Sequence, residues 1–296
     1  MTGLANLIRR DRRLFFKDKG MFFTSLITPA ILLVLYATFL AGIYRDSFAS
    51  AIPAGFPVAD SLIDATVGGE LISSLLAVSC VTVAFCSNLL MVQDKVSGAL
   101  HDLTVSPVRR STIALAYFCA STLVTLIVNF AAMGLGFLYL AKMGWYLRAA
   151  DVLCIALDVV LLTLFGVALS SCIHYFLSTN GQASAVGTVV SAGYGFLCGA
   201  YMPISSFSDG LQRVLSFLPG TYGTSLLRNH CLAGVFREME ATGFPAEIVK
   251  GIRDGVDCNL YFLGGSVSIP AMYAVLCGAV AVFGGVYILL NVRNKK

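Results

Sequence analysis

The sequence predicts an all-α polytopic membrane protein with six transmembrane helices. Three observations point there. Of its 296 residues, 57% are hydrophobic and only 12% are charged, against about 25% charged in an average soluble domain. Six apolar stretches approach or exceed the roughly 20 residues that a helix needs to cross the hydrocarbon core. Lys and Arg gather at the ends of those stretches, the pattern that membrane topology produces. The charge deficit excludes an ordinary cytosolic enzyme. The small net charge of +4 shows no basic face of the kind nucleic-acid binding needs.

Residues 1–20 come first. Leu4, Leu7, Ile8, Leu14 and Phe15 recur at helical spacing with arginines between them, which predicts an amphipathic helix on the inner leaflet. Asp11 interrupts the apolar face, and a plain positive anchor is the competing reading. The apolar run that follows, Met21 to about Tyr44, is longer than the roughly 7–15 residues of a signal peptide core. It reads as the first span. The others run roughly Leu71–Val92, Ile113–Ala141, Val152–His174, Ala183–Met202 and Ile269–Val292. A polar turn around Asn180-Gly181 separates the fourth from the fifth. No internal repeat is visible, so the inverted halves of many secondary transporters are not seen.

Orientation follows from the basic residues, which stay on the cytoplasmic side. With the N-terminus inside, that face holds Arg9, Arg10, Arg12, Arg13, Lys17, Lys19, Lys95, Arg109, Arg110, Arg293, Lys295 and Lys296. Most acids, such as Asp60, Asp64, Glu238, Glu240, Glu247 and Asp257, fall on the other face. Both termini are therefore expected in the cytoplasm and the long loop Pro203–Ser268 outside. The loop starts with Leu211, Val214, Leu215 and Leu218 at i, i+3, i+4, i+7, a short amphipathic helix that Pro219-Gly220 should stop. An apolar stretch from Tyr222 to Val235 follows. It is too short to cross, and reads either as a re-entrant hairpin, tolerable only where protein or water satisfies its backbone, or as a surface helix. A further helix is expected over Ala246–Val256.

No Lys follows a Gly, so the chain has no nucleotide-binding loop of the G-x-x-x-x-G-K-[ST] kind. His101, His174 and His230 are scattered, and the nine cysteines form no C-x-x-C pair; no metal or catalytic constellation emerges. Asp158 lies about two turns inside the fourth span. An acid there is a candidate intramembrane polar site, with interfacial solvation as the alternative. Gly195 and Gly199 form a GxxxG, a weak packing signal. Cys231 and Cys258 are the only cysteines placed in outer extramembrane segments. Oxidising conditions permit a disulfide there, and two free thiols are the open alternative.

The segment Gln93–Leu103, followed by Thr104–Arg110, is a compact polar stretch between two spans and is expected to form a cytoplasmic helix. Asp94, Lys95, Gly98, Leu100, Leu103, Ser106 and Pro107 resemble the pattern that ATP-binding-cassette type-2 permeases carry after their second span. Met202-Pro203, Phe217-Leu218-Pro219-Gly220-Thr221-Tyr222 and Leu226-Leu227-Arg228 resemble their pattern after the fifth, and the plan of an amphipathic start, six spans and a long last outer loop is similar throughout. Val96 and Ala99 depart from it, where an acid and a Thr are frequent.

The resemblance implies a single permease domain over residues 1–296: an interfacial helix (1–20), a coupling segment (93–110) and an outer loop (203–268). Two protomers, alike or different, would form the pathway, in a plasma membrane of the bacterial inner-membrane type. Separate cytoplasmic ATPase subunits would bind ATP and magnesium, so no cofactor and no enzyme activity are expected in this chain. Asp94, Lys95, Gly98, Leu100, Leu103 and Pro107 would carry the coupling, and a drug, lipid or lipid-linked glycan would be exported. The rival reading is a secondary transporter or channel needing no ATPase, which should carry several intramembrane ionisable groups.

Overall fold

The computed structural model of the chain describes residues 2–51, 58–262 and 264–293. Lys295 and Lys296, assigned above to the inner face, lie outside them. The described residues are helical apart from turns, loops and one short antiparallel hairpin, Leu260–Phe262 with Gly265–Val267.

The bundle is organised around helix α4 (Asp60–Ser97), which packs against α2 (Lys19–Leu35), α6 (Arg110–Met143), α7 (Ala149–Phe176), α8 (Asn180–Leu197) and α10 (Pro219–Cys231). Its sequence is apolar or small on every side, which is the composition of a helix surrounded by others. At 38 residues it is about 57 Å long, well beyond a hydrocarbon core of about 30 Å. The charged turn Gln93–Ser97 lies at one end of that excess length. Polar side chains fix the register between α4, α6 and α7. Ser79 Oγ donates to Asn129 Oδ1 at 2.6 Å, and the Asn129 amide donates to Thr163 Oγ1 at 3.1 Å. Ser121 Oγ donates to Asn88 Oδ1 at 2.9 Å, and the Asn88 amide reaches Ser170 and Ser171. Such interhelical bonds are worth about 0.6 kcal/mol each on average, so they specify alignment more than they add stability.

Four helices among the described residues are long and apolar enough to cross a membrane: α4, α6, α7 and α13 (Ile269–Arg293). A fifth is reached if α1 (Thr2–Lys17) and α2, bent by 74° at Asp18, count as one span. The expected first span is not one regular helix. A π-helical turn, Tyr36–Leu40, divides α2 from α3 (Ala41–Ala51), and Pro29 lies inside α2. The expected fifth span is α8, only 18 residues long and diluted by Gly, Ser and Thr. Hydropathy counts composition and does not see a break in the backbone; hence the difference from six.

The GxxxG of α8 is no helix seam. A methyl group at Gly195 would overlap the ring of Tyr201 of the same chain, and Gly199 is a turn residue at φ +76°.

Beyond α8, the chain forms α9 (Asp209–Leu215), α10, α11 (Ala233–Ala241) and α12 (Ala246–Gly255). The short helix does end before Pro219-Gly220, at Leu215, but the pair is also a start. Pro219 occupies the first turn of α10, where its missing N–H costs nothing. Almost every residue of α10 is buried, and it packs against α4, α7 and α13. Cys231 and Cys258 are both buried free thiols. Each sulfur packs as a small apolar group, the alternative left open above: Cys231 belongs to the main core, Cys258 to a second cluster with Phe236 and Ile252.

Candidate functional site

The polar stretch between the second and third expected spans folds as a knuckle. Gly98 ends α4 at φ +85°, a left-handed conformation that a side chain would strain. The chain then turns into α5 (Ala99–Val105) and, through Ser106–Arg109, into α6.

Two of the expected coupling residues point inward. Asp94 is buried, and its carboxylate accepts both terminal nitrogens of Arg10, at 2.8 and 3.0 Å, and the Tyr117 hydroxyl. It thereby ties α1 and α6 to the end of α4. Lys95 Nζ donates to the carbonyls of His174, Tyr175 and Leu177, at 2.9, 2.6 and 3.0 Å. These carbonyls lie where α7 ends and helical partners run out, although that of His174 also accepts the Leu177 amide, and a cation there meets the negative end of the helix dipole. Leu100 and Leu103 pack from α5 onto a cluster that includes Phe15, Met91 and Tyr117. Pro107 lies exposed in the link to α6.

The outward face is made by other residues. Val96, Ser97, His101, Asp102 and Val105 are exposed, Val105 by 74%. The knuckle is thus a small mixed polar and apolar surface held rigidly on three sides. Beside Arg10, Asp11 is buried on α1, and burial pushes its carboxyl up to about 6 against the pull of the Arg10 guanidinium.

Two further polar constellations lie away from the knuckle. Asp158 is not alone: His230 Nδ1 of α10 and the Tyr273 hydroxyl of α13 each lie 2.6 Å from its carboxylate oxygens. Arg228, fully buried on α10, pairs with Asp257 at 3.0 Å and donates to the carbonyl of Gly199 at 2.7 Å. Asp257 also accepts the backbone amides of Ile204 and Ser205. This cluster fastens α10 to the turn after α8 and to the end of α12.

Sequence reading singled out Asp94, Lys95, Asp158 and Arg228 but not their partners Arg10, Tyr117, His230, Tyr273 and Asp257. The partners are 23 to 115 residues away, and no local pattern pairs them. The exposed residues of α5 had a signal: they alternate with Leu100 and Leu103 on a short helix.

No curated protein matches the chain. The sequence model of the ABC-2 type transporter family matches residues 2–231, a segment that contains the knuckle, the Asp158–His230 pair and Arg228. A match over most of the chain, with a helical bundle suited to a membrane, places this protein in the ABC-2 type transporter family as a multi-pass permease subunit.

Proposed function

We propose that the chain is the membrane subunit of an ATP-driven exporter and that α5 with its flanks is the docking element for a cytoplasmic ATPase. The observation that supports this most is the division of labour in the knuckle. Asp94 and Lys95 are consumed by bonds to α1, α6 and α7, while His101, Asp102 and Val105 face outward without structural duty. A partner pressing on that face moves α4, the central helix, as a rigid body, and with it the end of α7 and the interfacial helix. ATP and magnesium are held by the partner, two permease protomers line the path, and a hydrophobic or amphipathic substrate leaves outward.

In this reading the bundle crosses a plasma membrane six times, the π-broken first helix and α8 included. Both termini are cytoplasmic, Pro203–Ser268 is external, and α10 dips into the outer leaflet, where α4, α7 and α13 satisfy the requirement that such a segment be surrounded by protein. Cysteine labelling in a cysteine-free background tests the orientation: an impermeant reagent on intact cells should reach Glu240→Cys and not Lys295→Cys.

Docking is tested by co-purification. His101→Ala/Asp102→Ala and Val105→Asp should leave the permease inserted but release the ATPase. Retention of the ATPase by both would overturn the docking assignment. The rival, a secondary transporter, draws on the Asp158–His230–Tyr273 constellation; transport that survives without any ATPase and fails in Asp158→Asn would favour it.

A further inference from the structure

The elbow between α1 and α2 carries a second surface that the knuckle does not use. On α1 the residues turned inward are Asp11 and Phe15, with Leu7 packing behind them. Those turned outward are Arg9, Arg12, Arg13 and Lys17, continued past the elbow by Lys19. Of the acids nearby, Asp11 is paired with Arg10, and Asp18 accepts the Met21 amide at 3.1 Å as the cap of α2. Among the basic groups stand exposed apolar ones: Leu14, Phe16 and, on the first turns of α2, Phe23, which is 61% exposed. Phe15, Phe16, Phe22 and Phe23 form a chain of edge-to-face and tilted ring contacts across the bend, with ring centroids 5.5, 5.8 and 5.6 Å apart.

Cations interleaved with exposed aromatic rings at the end of an apolar helix suit the boundary between headgroups and acyl chains. The rings enter the interface, and the cations meet phosphates. A protein surface would not need apolar side chains on the side where α2 enters the bilayer. The charge selects lipids with net negative headgroups, because each Lys or Arg near such a leaflet strengthens attachment roughly fivefold.

We propose that the α1–α2 elbow is a binding surface for anionic phospholipids of the leaflet it faces, and that lipid occupancy sets the position of α1. The consequence for coupling rests on the permease reading above. Arg10, on the same helix as Arg9 and Arg13, is the residue that grips Asp94 at the root of the knuckle. Lipid that holds α1 down therefore holds Arg10 on Asp94 and stiffens the docking element.

The binding claim is tested on the full-length permease alone, with no ATPase present. Hydrogen exchange of residues 2–17 is compared in nanodiscs of phosphatidylcholine and in nanodiscs of three parts phosphatidylcholine to one part phosphatidylglycerol. Exchange should be several-fold slower with phosphatidylglycerol, and the difference should shrink in high salt, which screens exposed charges. In native mass spectrometry the protein should retain phosphatidylglycerol in preference to phosphatidylcholine. Arg9→Gln/Arg12→Gln/Arg13→Gln should lose that preference. The charge-conserving Arg9→Lys/Arg12→Lys/Arg13→Lys should keep most of it, and Arg213→Gln, far along the chain on α9, should keep all of it.

Equal exchange of residues 2–17 in the two lipids overturns the proposal. So does a triple glutamine variant that is indifferent to lipid composition only because the wild type is too. If the glutamine variant releases the ATPase while its lipid preference is unchanged, the surface belongs to the ATPase instead. Failure of the permease reading would show differently: lipid-dependent exchange would persist while no ATPase co-purified with the wild type.

Discussion

Arg10 and Asp94 stand 84 residues apart in sequence and meet in a two-point ion pair, with contacts of 2.8 and 3.0 Å. The guanidinium fork matches both carboxylate oxygens, a geometry that lysine cannot reproduce. The pair sits at the junction of α1, α4 and α6 and is the mechanical root of the knuckle. Arg10 is held above its ordinary pKa, chiefly by the hydrogen bond to Asp94, and stays charged at any physiological pH.

Breaking that pair should loosen α1 without unfolding the bundle. Asp94→Asn or Arg10→Gln is expected to cost about 1–3 kcal/mol. The figure lies below that of a fully buried pair because the Arg10 side chain is 30% exposed. Faster hydrogen exchange in residues 2–17 is the readout. A double-mutant cycle should show a coupling energy of at least about 0.5 kcal/mol; additive effects would mean that the two residues act separately.

Asp11 should make α1 docking depend on pH. Its carboxyl is pushed up to about 6 when docked, by burial first, against an ordinary value of 3.8. The docked helix therefore binds a proton more tightly than the released one between about pH 4 and 6. Docking strengthens as pH falls from 7 through that window and weakens as pH rises through 6. Asp11→Asn should abolish the dependence, and exchange of residues 2–17 at pH 5 and 7, corrected for intrinsic rates, checks it.

Arg228 and Asp257 form the most deeply buried charge pair described. Arg228→Met leaves Asp257 without its guanidinium, and Asp257→Asn leaves the buried Arg228 without its hydrogen-bonded acid, with only the more distant Glu70 as counter-charge. Either should destabilise the protein by about 3–5 kcal/mol, seen as a large drop in the thermal midpoint in detergent. A midpoint within a degree of the wild type would show that the pair contributes nothing net.

Cys231 and Cys258 should behave as free, protected thiols. A thiol-blocking reagent should modify neither in the native protein, and both after denaturation without reductant. Peptide mapping that finds the two joined after denaturation would show that oxidation closes the bond in the cell.

The class of protein was legible in the sequence because it depends on composition. A chain so poor in charge must put helices in lipid, since only a closed hydrogen-bonded backbone is tolerated there. The positions of α4, α6, α7 and α13 followed from their apolar runs. Gly98 stood out only as part of the polar segment, expected as one helix over Gln93–Leu103; in the fold its left-handed backbone ends α4 and starts α5 instead. The residue types at Asp94, Lys95, Asp158 and Arg228 were conspicuous for the same reason: each is a charge where charge is scarce.

Their roles were decided only by tertiary structure. Asp94 and Lys95 look in sequence like an outward docking patch. In the fold they turn inward, because Arg10 of α1 and the carbonyls at the end of α7 lie within reach and a charge near the membrane is stabilised by its strongest partner. Asp158 looked isolated until α10 and α13 brought His230 and Tyr273 against it. The π turn in the first helix and the start of α10 at Pro219 likewise escaped a reading based on hydropathy, which averages over windows longer than a turn. Sequence determines which side chains must avoid lipid or water. Packing determines which of them meet, because the partners lie tens of residues away and only the assembled bundle sets the distance between them.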